Sequence, residues 1–150
     1  MSENGFPDAV VTTEISVRFA ETDLMGVVHH GAYIVWFEVG RVGWMAAAGV
    51  AYTEISAAGC HLAVTGIQSA YRASCTFGDT VRIATHLSRL RSRQLSFAYE
   101  IRHAVTDLPL VTGSSEHVCV DLDGRTTRLP HDIFKRLQAG ARALSTAGKS

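Results

Sequence analysis

A long apolar segment in the first third of the chain places the strongest limit on the fold. Between Gly31 and Gly49 the sequence reads GAYIVWFEVGRVGWMAAAG, which has helical length and few polar side chains. A helix that is apolar on most sides is buried on most sides, so we expect it to lie against a sheet. Gly40 and Gly43 each cost about 1 kcal/mol relative to alanine in a helix, and close approach to that sheet is the expected reason for them.

Strand-like segments surround this helix, one before it and four after it. Alternating apolar residues predict the first strand over Val10–Phe19, with Val11, Thr13, Ile15, Val17 and Phe19 on one face. A short helical or irregular link is predicted at Tyr52–Ala58. The other predicted strands are His61–Phe77, bent near Gly66, then Asp79–Leu90, Gln94–Ala104 and Leu110–Leu122. An amphipathic helix is predicted at His131–Leu144.

These elements predict an α+β fold. Consecutive strands joined by short turns pair antiparallel, so the long central helix should pack on a five-stranded antiparallel sheet. Several strands are apolar on both faces, which indicates that a second copy or a partner covers the other face. The 150 residues form one predicted domain, with flexible ends at 1–7 and 145–150.

Composition excludes some classes of function and favours a cytoplasmic protein. The 14 basic and 14 acidic residues balance, which gives no support to a nucleic-acid surface. No stretch is apolar enough to span a membrane, and MSENGFPDAV lacks the pattern of a secretory signal. The three cysteines are scattered, as expected for buried thiols in a reducing compartment, and neither they nor the histidines show metal-ligand spacing. We therefore expect no metal and no cofactor.

A lone carboxylate precedes the long helix. Asp23 stands where the first strand leads into a loop over Ala20–His30, and Gly26 punctuates that loop. A carboxylate directed at a helix N-terminus can attack or hydrate a carbonyl group, because it supplies a nucleophile or base while the helix N–H groups hold the developing oxyanion. The alternative is structural, since Asp is also favoured in turns and helix caps.

Several spaced residues in this region agree with one family. The stretch ETDLMGVVHHGAYIVWFEVGR, with the pattern D-x-x-G-x-x-x-H-x-x-Y-x-x-x-F-E-x-x-R, resembles the signature of the hotdog-fold acyl-CoA thioesterases of the 4-hydroxybenzoyl-CoA thioesterase family. The similarity is greatest to the branch that includes the Tol–Pal-associated enzymes. DLDGRTTRLP also resembles the end of the last strand in that branch, and the resemblance covers Glu14–Phe134.

The resemblance implies a hotdog fold, dimers with a continuous sheet that often form tetramers, and active sites at the dimer interface. It implies hydrolysis of acyl- or aroyl-CoA to a free acid and coenzyme A. Asp23 matches the catalytic carboxylate, and His30 matches the position whose backbone N–H polarises the thioester carbonyl at the helix that begins with Gly31. Further candidates for substrate binding are His29, Tyr33, Glu38 and Arg41.

Some of these residues have a second interpretation. Tyr33 also suits a core position, and Glu38 and Arg41 are three residues apart on a helix, so they can form an ion pair in an apolar setting. His29 departs from the aromatic residue common in the branch and is interpreted as loop surface or pocket wall. Whether His30 acts through its backbone N–H or its side chain is open at this point.

Basic residues cluster around two predicted turns. Arginine can clamp the phosphates of coenzyme A, although such a run is usually a solvated turn. The candidates for phosphate contacts are Arg89, Arg91, Arg93, Arg125 and Arg128. Two alternatives to acyl-CoA hydrolysis remain: hydrolysis of an acyl group from an acyl carrier protein, and an acyl-CoA-binding module without turnover.

Overall fold

The computed structural model describes residues 5–147. The strands are β1 (Val11–Ser16), β2 (Cys60–Tyr71), β3 (Thr80–Leu90), β4 (Gln94–His103) and β5 (Pro109–Asp121). The helices are α1 (His30–Ala47), α2 (Tyr52–Ala57) and α3 (His131–Ala147), and a single 3₁₀ turn covers Phe19–Glu21. The strands form one sheet in the order β1-β3-β4-β5-β2. Every neighbouring pair is antiparallel, as predicted.

The long helix α1 packs mainly against β1, β3 and β4. Gly40 and Gly43 allow this approach, as expected. A Cβ atom added to Gly40 would lie 2.5 Å from Thr85 Oγ1, and one added to Gly43 would lie 3.0 Å from Thr13 Oγ1. The helix ends before Gly49, whose φ of +98° is readily adopted only by glycine. The predicted helix boundaries are therefore confirmed to within a few residues.

The prediction that α1 is buried on most sides is wrong for the single chain. Its buried face includes Trp36, Phe37, Trp44 and Met45, whereas Val35, Val39 and Val42 are 49%, 38% and 40% exposed. These valines recur every three to four residues and form one stripe on the helix. The helix thus covers the sheet with one face and leaves an apolar stripe on the other.

The β2 edge of the sheet is also left partly uncovered by α1. Val64 and Ile67 of β2 lie opposite the buried His117 and Ser115 of β5, yet they are 47% and 38% exposed. The register shifts between Val64 and Gly66, which confirms the predicted bend. β2 is an edge strand, so its outer backbone groups have no neighbouring strand in the sheet.

Other boundaries differ from the sequence predictions. β1 ends at Ser16, and Phe19 is 76% exposed instead of lying on the buried face, because the chain enters the 3₁₀ turn. β2 ends at Tyr71, well before the predicted Phe77. Part of each end that was predicted to be flexible belongs to the described residues. Phe6 donates its N–H to Leu87 O at 2.9 Å, and α3 continues to Ala147. The rest of both predicted ends, 1–4 and 148–150, lies outside the described residues.

No helix among residues 5–147 is long and apolar enough to cross a membrane. The three cysteines are free and buried.

Candidate active site

Asp23 lies in a narrow loop that folds back on itself before α1. Thr22 forms an isolated bridge with Val28, and the Asp23 N–H donates to Val27 O at 2.9 Å. Gly26, with φ of +81°, closes the turn and donates its N–H to Asp23 O at 3.0 Å. The loop therefore holds Asp23 opposite Val27, a short distance along the chain from the first helical residue, His30.

The side chain of Asp23 has a turn role, as its structural interpretation predicts. Its Oδ1 accepts the Met25 N–H at 2.8 Å, and the residue is exposed. An ionised carboxylate has about four lone-pair sites, so this single bond leaves acceptor capacity on both oxygens. A turn role and a chemical role are thus compatible in the same side chain.

His29 is the N-cap of α1. Its Nδ1 accepts the Ala32 N–H at 3.2 Å, and its own N–H donates to Glu21 O at 3.0 Å. Ser, Thr, Asp and Asn are the usual residues at this position, so sequence reasoning did not identify the imidazole as a cap. Because Nδ1 accepts a hydrogen bond, the neutral ring carries its proton on Nε2.

The first turn of α1 presents backbone donors. The N–H groups of His30 and Gly31 lie in the first turn, where no carbonyl group of the same helix can accept their hydrogen bonds. No other described residue supplies them with an acceptor. The cap occupies the next donor, at Ala32. Two aligned N–H groups at the positive end of a helix dipole can hold an anion or a developing oxyanion.

A cavity of about 360 Å³ adjoins this helix end. It is lined by Val28, His30, Tyr33, Tyr71, Arg72, Ala73 and Ser74. Tyr71 donates its hydroxyl to His30 O at 3.2 Å, which ties the end of β2 to the first turn of α1. The cavity therefore contacts the helix start and contains two aromatic walls.

Tyr33 is buried, and its hydroxyl lies 3.5 Å from Cys75 Sγ. Burial and this contact raise its phenol pKa, and its ring packs edge-on against Trp36 and Tyr71. Tyr33 thus belongs to the core and also lines the cavity, so both of its predicted roles are compatible with its position.

Glu21 is a buried carboxylate that sequence reasoning assigned no role. It is 6% exposed, and its Oε2 accepts the Trp36 Nε1–H at 2.6 Å. Burial opposes ionisation of Glu21, but the bonds from Arg18 and Trp36 outweigh it and lower the pKa of the carboxyl group. An acidic residue just before an apolar helix that contains tryptophan was the available signal.

Glu38 and Arg41 form the predicted pair, but not a buried one. Arg41 Nη2 lies 3.8 Å from Glu38 Oε1, and the two side chains are 14% and 63% exposed. Only Arg41 is mostly buried. Its positive charge lies near three hydrogen-bonded polar side chains beneath α1. The Tyr99 hydroxyl contacts Ser115 Oγ at 2.5 Å, and Ser115 Oγ contacts His117 Nε2 at 2.8 Å.

Burial and the Arg41 charge lower the pKa of His117 to about 4. Its Nδ1 is buried and has no hydrogen-bond partner among the described residues. An α-helix rises about 1.5 Å per residue, so Arg41 lies roughly 16 Å along α1 from His30. The structure does not bring Glu38 and Arg41 to the helix start.

The five candidate arginines lie toward the other end of the sheet. Leu129 donates its N–H to Ser92 O at 2.8 Å, so the turn that contains Arg91 and Arg93 adjoins the segment after β5. Cys119 donates to Arg93 O at 2.9 Å, whereas the cavity residue Tyr71 pairs with Val111. These two positions of β5 are about 26 Å apart at about 3.3 Å per residue. Within one chain, the arginines therefore do not meet the cavity.

Among residues 5–147, no group of three His, Cys, Asp or Glu side chains is arranged to hold a metal ion.

Comparison with known proteins identifies the family of the chain. The sequence profile of the Thioesterase-like superfamily matches residues 17–137. The Bacillus subtilis protein named "Putative acyl-CoA thioesterase YneP" is 33% identical over 108 residues, which are 72% of this chain and 78% of that protein.

Two crystal structures extend the comparison. A DHNA-CoA thioesterase from Staphylococcus aureus is 30% identical, with a TM-score of 0.84 over 94% of this chain and 96% of that one. The hypothetical protein TT1821 from Thermus thermophilus is 38% identical, with a TM-score of 0.79 over 85% of this chain and 95% of that one. With its five antiparallel strands and the long helix packed on them, the chain belongs to the thioesterase-like superfamily and is a thioester hydrolase of the hotdog fold.

Proposed function

We propose that the protein hydrolyses acyl- or aroyl-CoA thioesters to a free carboxylic acid and coenzyme A. The observation that carries the proposal is the loop from Thr22 to Val28, which folds back on itself and places Asp23 opposite Val27, three residues before α1 begins at His30. There the N–H groups of His30 and Gly31 adjoin a cavity with aromatic walls. Activity on CoA esters is supported by the names of the Bacillus subtilis and Staphylococcus aureus relatives.

Asp23 supplies the chemistry by one of two routes. As a nucleophile, its carboxylate attacks the thioester carbon, the C–S bond breaks, and water then hydrolyses the mixed anhydride. As a general base, it takes a proton from the water that attacks the same carbon. In both routes the carbonyl oxygen becomes negative, and the N–H groups of His30 and Gly31 stabilise it. Neither route requires a metal or cofactor, so we expect none.

The coenzyme A moiety is proposed to bind across two copies of the chain. β2 is an edge strand, so a second β2 can pair with it antiparallel and continue the sheet. This pairing would bring the Cys60 end of one β2 toward the Tyr71 end of the other. The arginines of one copy, including Arg91 and Arg93, would then approach the cavity of the other and could bind phosphates. We therefore propose a homodimer or homotetramer with composite sites.

Other predictions remain part of this proposal. His29 and Tyr33 are proposed to contact substrate or support the residues that do. Glu38 and Arg41, which lie away from the helix start within one chain, would do so only across a dimer. A cytoplasmic location accords with three free, buried cysteines. The narrower placement in the 4-hydroxybenzoyl-CoA branch near the Tol–Pal-associated enzymes remains an expectation from the sequence resemblance. Acyl-carrier-protein esters and substrate binding without turnover remain the alternative functions.

Release of coenzyme A thiol from a panel of acyl- and aroyl-CoA esters tests the proposal. Aroyl esters come first, because the Staphylococcus aureus relative is named a DHNA-CoA thioesterase. Asp23→Asn keeps a turn acceptor but removes the nucleophile and base, so we expect turnover to fall by at least about 10²-fold. Asp121→Asn is the matched control, because Asp121 Oδ1 accepts the Asp123 N–H at 2.9 Å in a similar turn. This turn follows β5 at the end of the strand that lies away from the cavity.

The outcomes separate the candidate functions. Turnover that is lost in Asp23→Asn and kept in Asp121→Asn supports the proposal. Equal turnover in both variants would contradict the role of Asp23. If no CoA ester is hydrolysed, hydrolysis of the corresponding acyl carrier protein would favour that substrate, and ester binding that survives in Asp23→Ala would favour a binding module.

A further inference from the structure

Glu21 makes an unusual set of hydrogen bonds for a residue in a loop. Its Oε1 accepts the Arg18 N–H at 2.8 Å, and its Oε2 accepts both the Trp36 Nε1–H at 2.6 Å and Arg18 Nη2–H at 3.2 Å. Every partner of the carboxylate is a donor. Because the residue is only 6% exposed, water cannot readily replace a partner that is lost.

These bonds connect the parts of the proposed active site. Arg18 follows β1, Trp36 belongs to the second turn of α1, and Asp23 lies two residues after Glu21. The main-chain oxygen of Glu21 also accepts the N–H of His29, the N-cap of α1, at 3.0 Å. One residue therefore holds the end of the first strand, the helix and the cap in a fixed relation.

A comparison inside the same chain separates this arrangement from ordinary helix capping. Glu54 also accepts a backbone N–H from three residues earlier, that of Ala51 at 2.9 Å, and it also pairs with an arginine, Arg136, at 3.0 Å. Glu54, however, is exposed, and within residues 5–147 its carboxylate accepts hydrogen bonds only from Ala51 and Arg136, neither of which belongs to α1. What Glu21 adds is burial and the bond to the indole of α1.

We propose that Glu21 is a positioning residue for thioester hydrolysis. Its carboxylate fixes the Asp23 loop against α1, so that the Asp23 side chain and the free N–H groups of His30 and Gly31 face the same carbonyl group. Glu21 itself touches no reacting atom. The inference rests on the proposed function, because it assigns Glu21 a role in orienting Asp23.

The surroundings of Glu21 determine what a substitution does. In Glu21→Gln one carboxylate oxygen becomes an NH₂ group, which must face a donor from Arg18 or Trp36. The loop then shifts to separate the two donors. A misplacement of about 1 Å near the reacting atoms can cost about 10²-fold in rate. We expect kcat to fall 10- to 100-fold with KM within about threefold, because substrate contacts are kept while the transition-state geometry is lost.

The experiment measures kcat, KM and the unfolding temperature of the unmodified protein and the variants Glu21→Gln, Glu21→Asp, Glu54→Gln and Asp23→Asn. Assays run well below the lowest unfolding temperature, so that all variants are folded. Glu54→Gln is expected to keep kcat. Glu21→Asp retains the charge but is shorter by one methylene, so an intermediate kcat is expected.

A second readout concerns Trp36 directly. Glu21→Gln combined with Trp36→Phe removes the indole N–H that the new amide would oppose. The kcat of this double variant is expected to exceed the value obtained by multiplying the effects of the two single substitutions. Independent effects of the two substitutions would overturn the proposed coupling.

The outcomes distinguish this inference from the proposed function. A 10- to 100-fold fall in kcat for Glu21→Gln, with normal kcat for Glu54→Gln, supports positioning. Normal kcat in Glu21→Gln beside an inactive Asp23→Asn would overturn only the role of Glu21 and leave it structural. Absence of turnover in the unmodified protein would overturn both.

Discussion

Replacing Gly40 with alanine places two known effects in opposition. Alanine favours the helix by about 0.5–1 kcal/mol relative to glycine. The added Cβ, however, would lie 2.5 Å from Thr85 Oγ1 and 2.9 Å from Ile83 Cγ2. Carbon atoms in good contact are about 3.5–4.0 Å apart, so α1 and β3 would have to separate by roughly 0.5–1 Å.

The free-energy cost of that separation decides whether Gly40→Ala stabilises or destabilises the protein. Both Thr85 and Ile83 are fully buried, so neither side chain can move into solvent. Overpacking in such a core costs about 1–3 kcal/mol, which exceeds the helix-propensity gain. We expect Gly40→Ala to lower the free energy of unfolding by about 1–2 kcal/mol. For a domain of 150 residues this corresponds to a fall of roughly 2–8 °C in Tm.

Urea denaturation followed by tryptophan fluorescence measures the effect, with Gly43→Ala as the matched control. Gly43 lies three residues further along the same helix, and its added Cβ would meet only Thr13 Oγ1, at 3.0 Å. Thr13 is part of the edge strand β1 and is half-buried, so it can adjust. We expect Gly43→Ala to lie within about 0.5 kcal/mol of the unmodified protein. If Gly40→Ala proved as stable as Gly43→Ala, the argument from close packing would be refuted.

Three further predictions concern the cap, the buried histidine and the arginines. His29→Ala should cost about 1 kcal/mol of stability and His29→Asp should recover most of it, as urea denaturation of both variants would show. The pKa of His117 is lowered to about 4 in the folded protein, so the unfolded chain binds more protons between pH 6.5 and pH 4. The free energy of unfolding should therefore decrease as the pH is lowered from 6.5 to 4. A flatter pH profile in His117→Gln would confirm that His117 causes this decrease. Arg91→Ala with Arg93→Ala should raise KM for CoA esters but not for the phosphate-free pantetheine esters, whereas Arg142→Ala should change neither; equal effects on both esters would contradict phosphate binding.

Local patterns accounted for much of the fold. Gly78, in the turn before β3, and Gly124, in the turn after β5, both have positive φ and lie where turns were predicted. The long helix was recognisable from its apolar run and from Gly49 at its end. The ends of β1 and β2 were less predictable, because Phe19 and Phe77 are apolar yet exposed, and they contact each other edge-on at a ring distance of 5.8 Å. Their apolar character extended the predicted strands beyond the actual pairing.

The candidate site was only partly predictable for a similar reason. Asp23, His30 and Gly31 lie on one short stretch, so their spacing carried the signal. Glu21 depends on Trp36, fifteen residues away, and on a main-chain bond to His29, and neither relation has a sequence pattern of its own. The capping bond of His29 was missed because histidine is not a preferred residue at that position.

The sequence by itself determined the order of the elements, the sharp loop that carries Asp23 and the helix start that follows it, because these depend on neighbours within a few residues. Only the tertiary structure decided which face of α1 is covered, why Glu21 stays ionised in a buried position, and that Arg91 and Arg93 lie far from the cavity within one chain. Burial and long-range distance depend on how strands far apart in the chain pair with one another. The sequence shows which residues are apolar and which of them share a face, but the packing of the whole sheet determines what, if anything, covers that face.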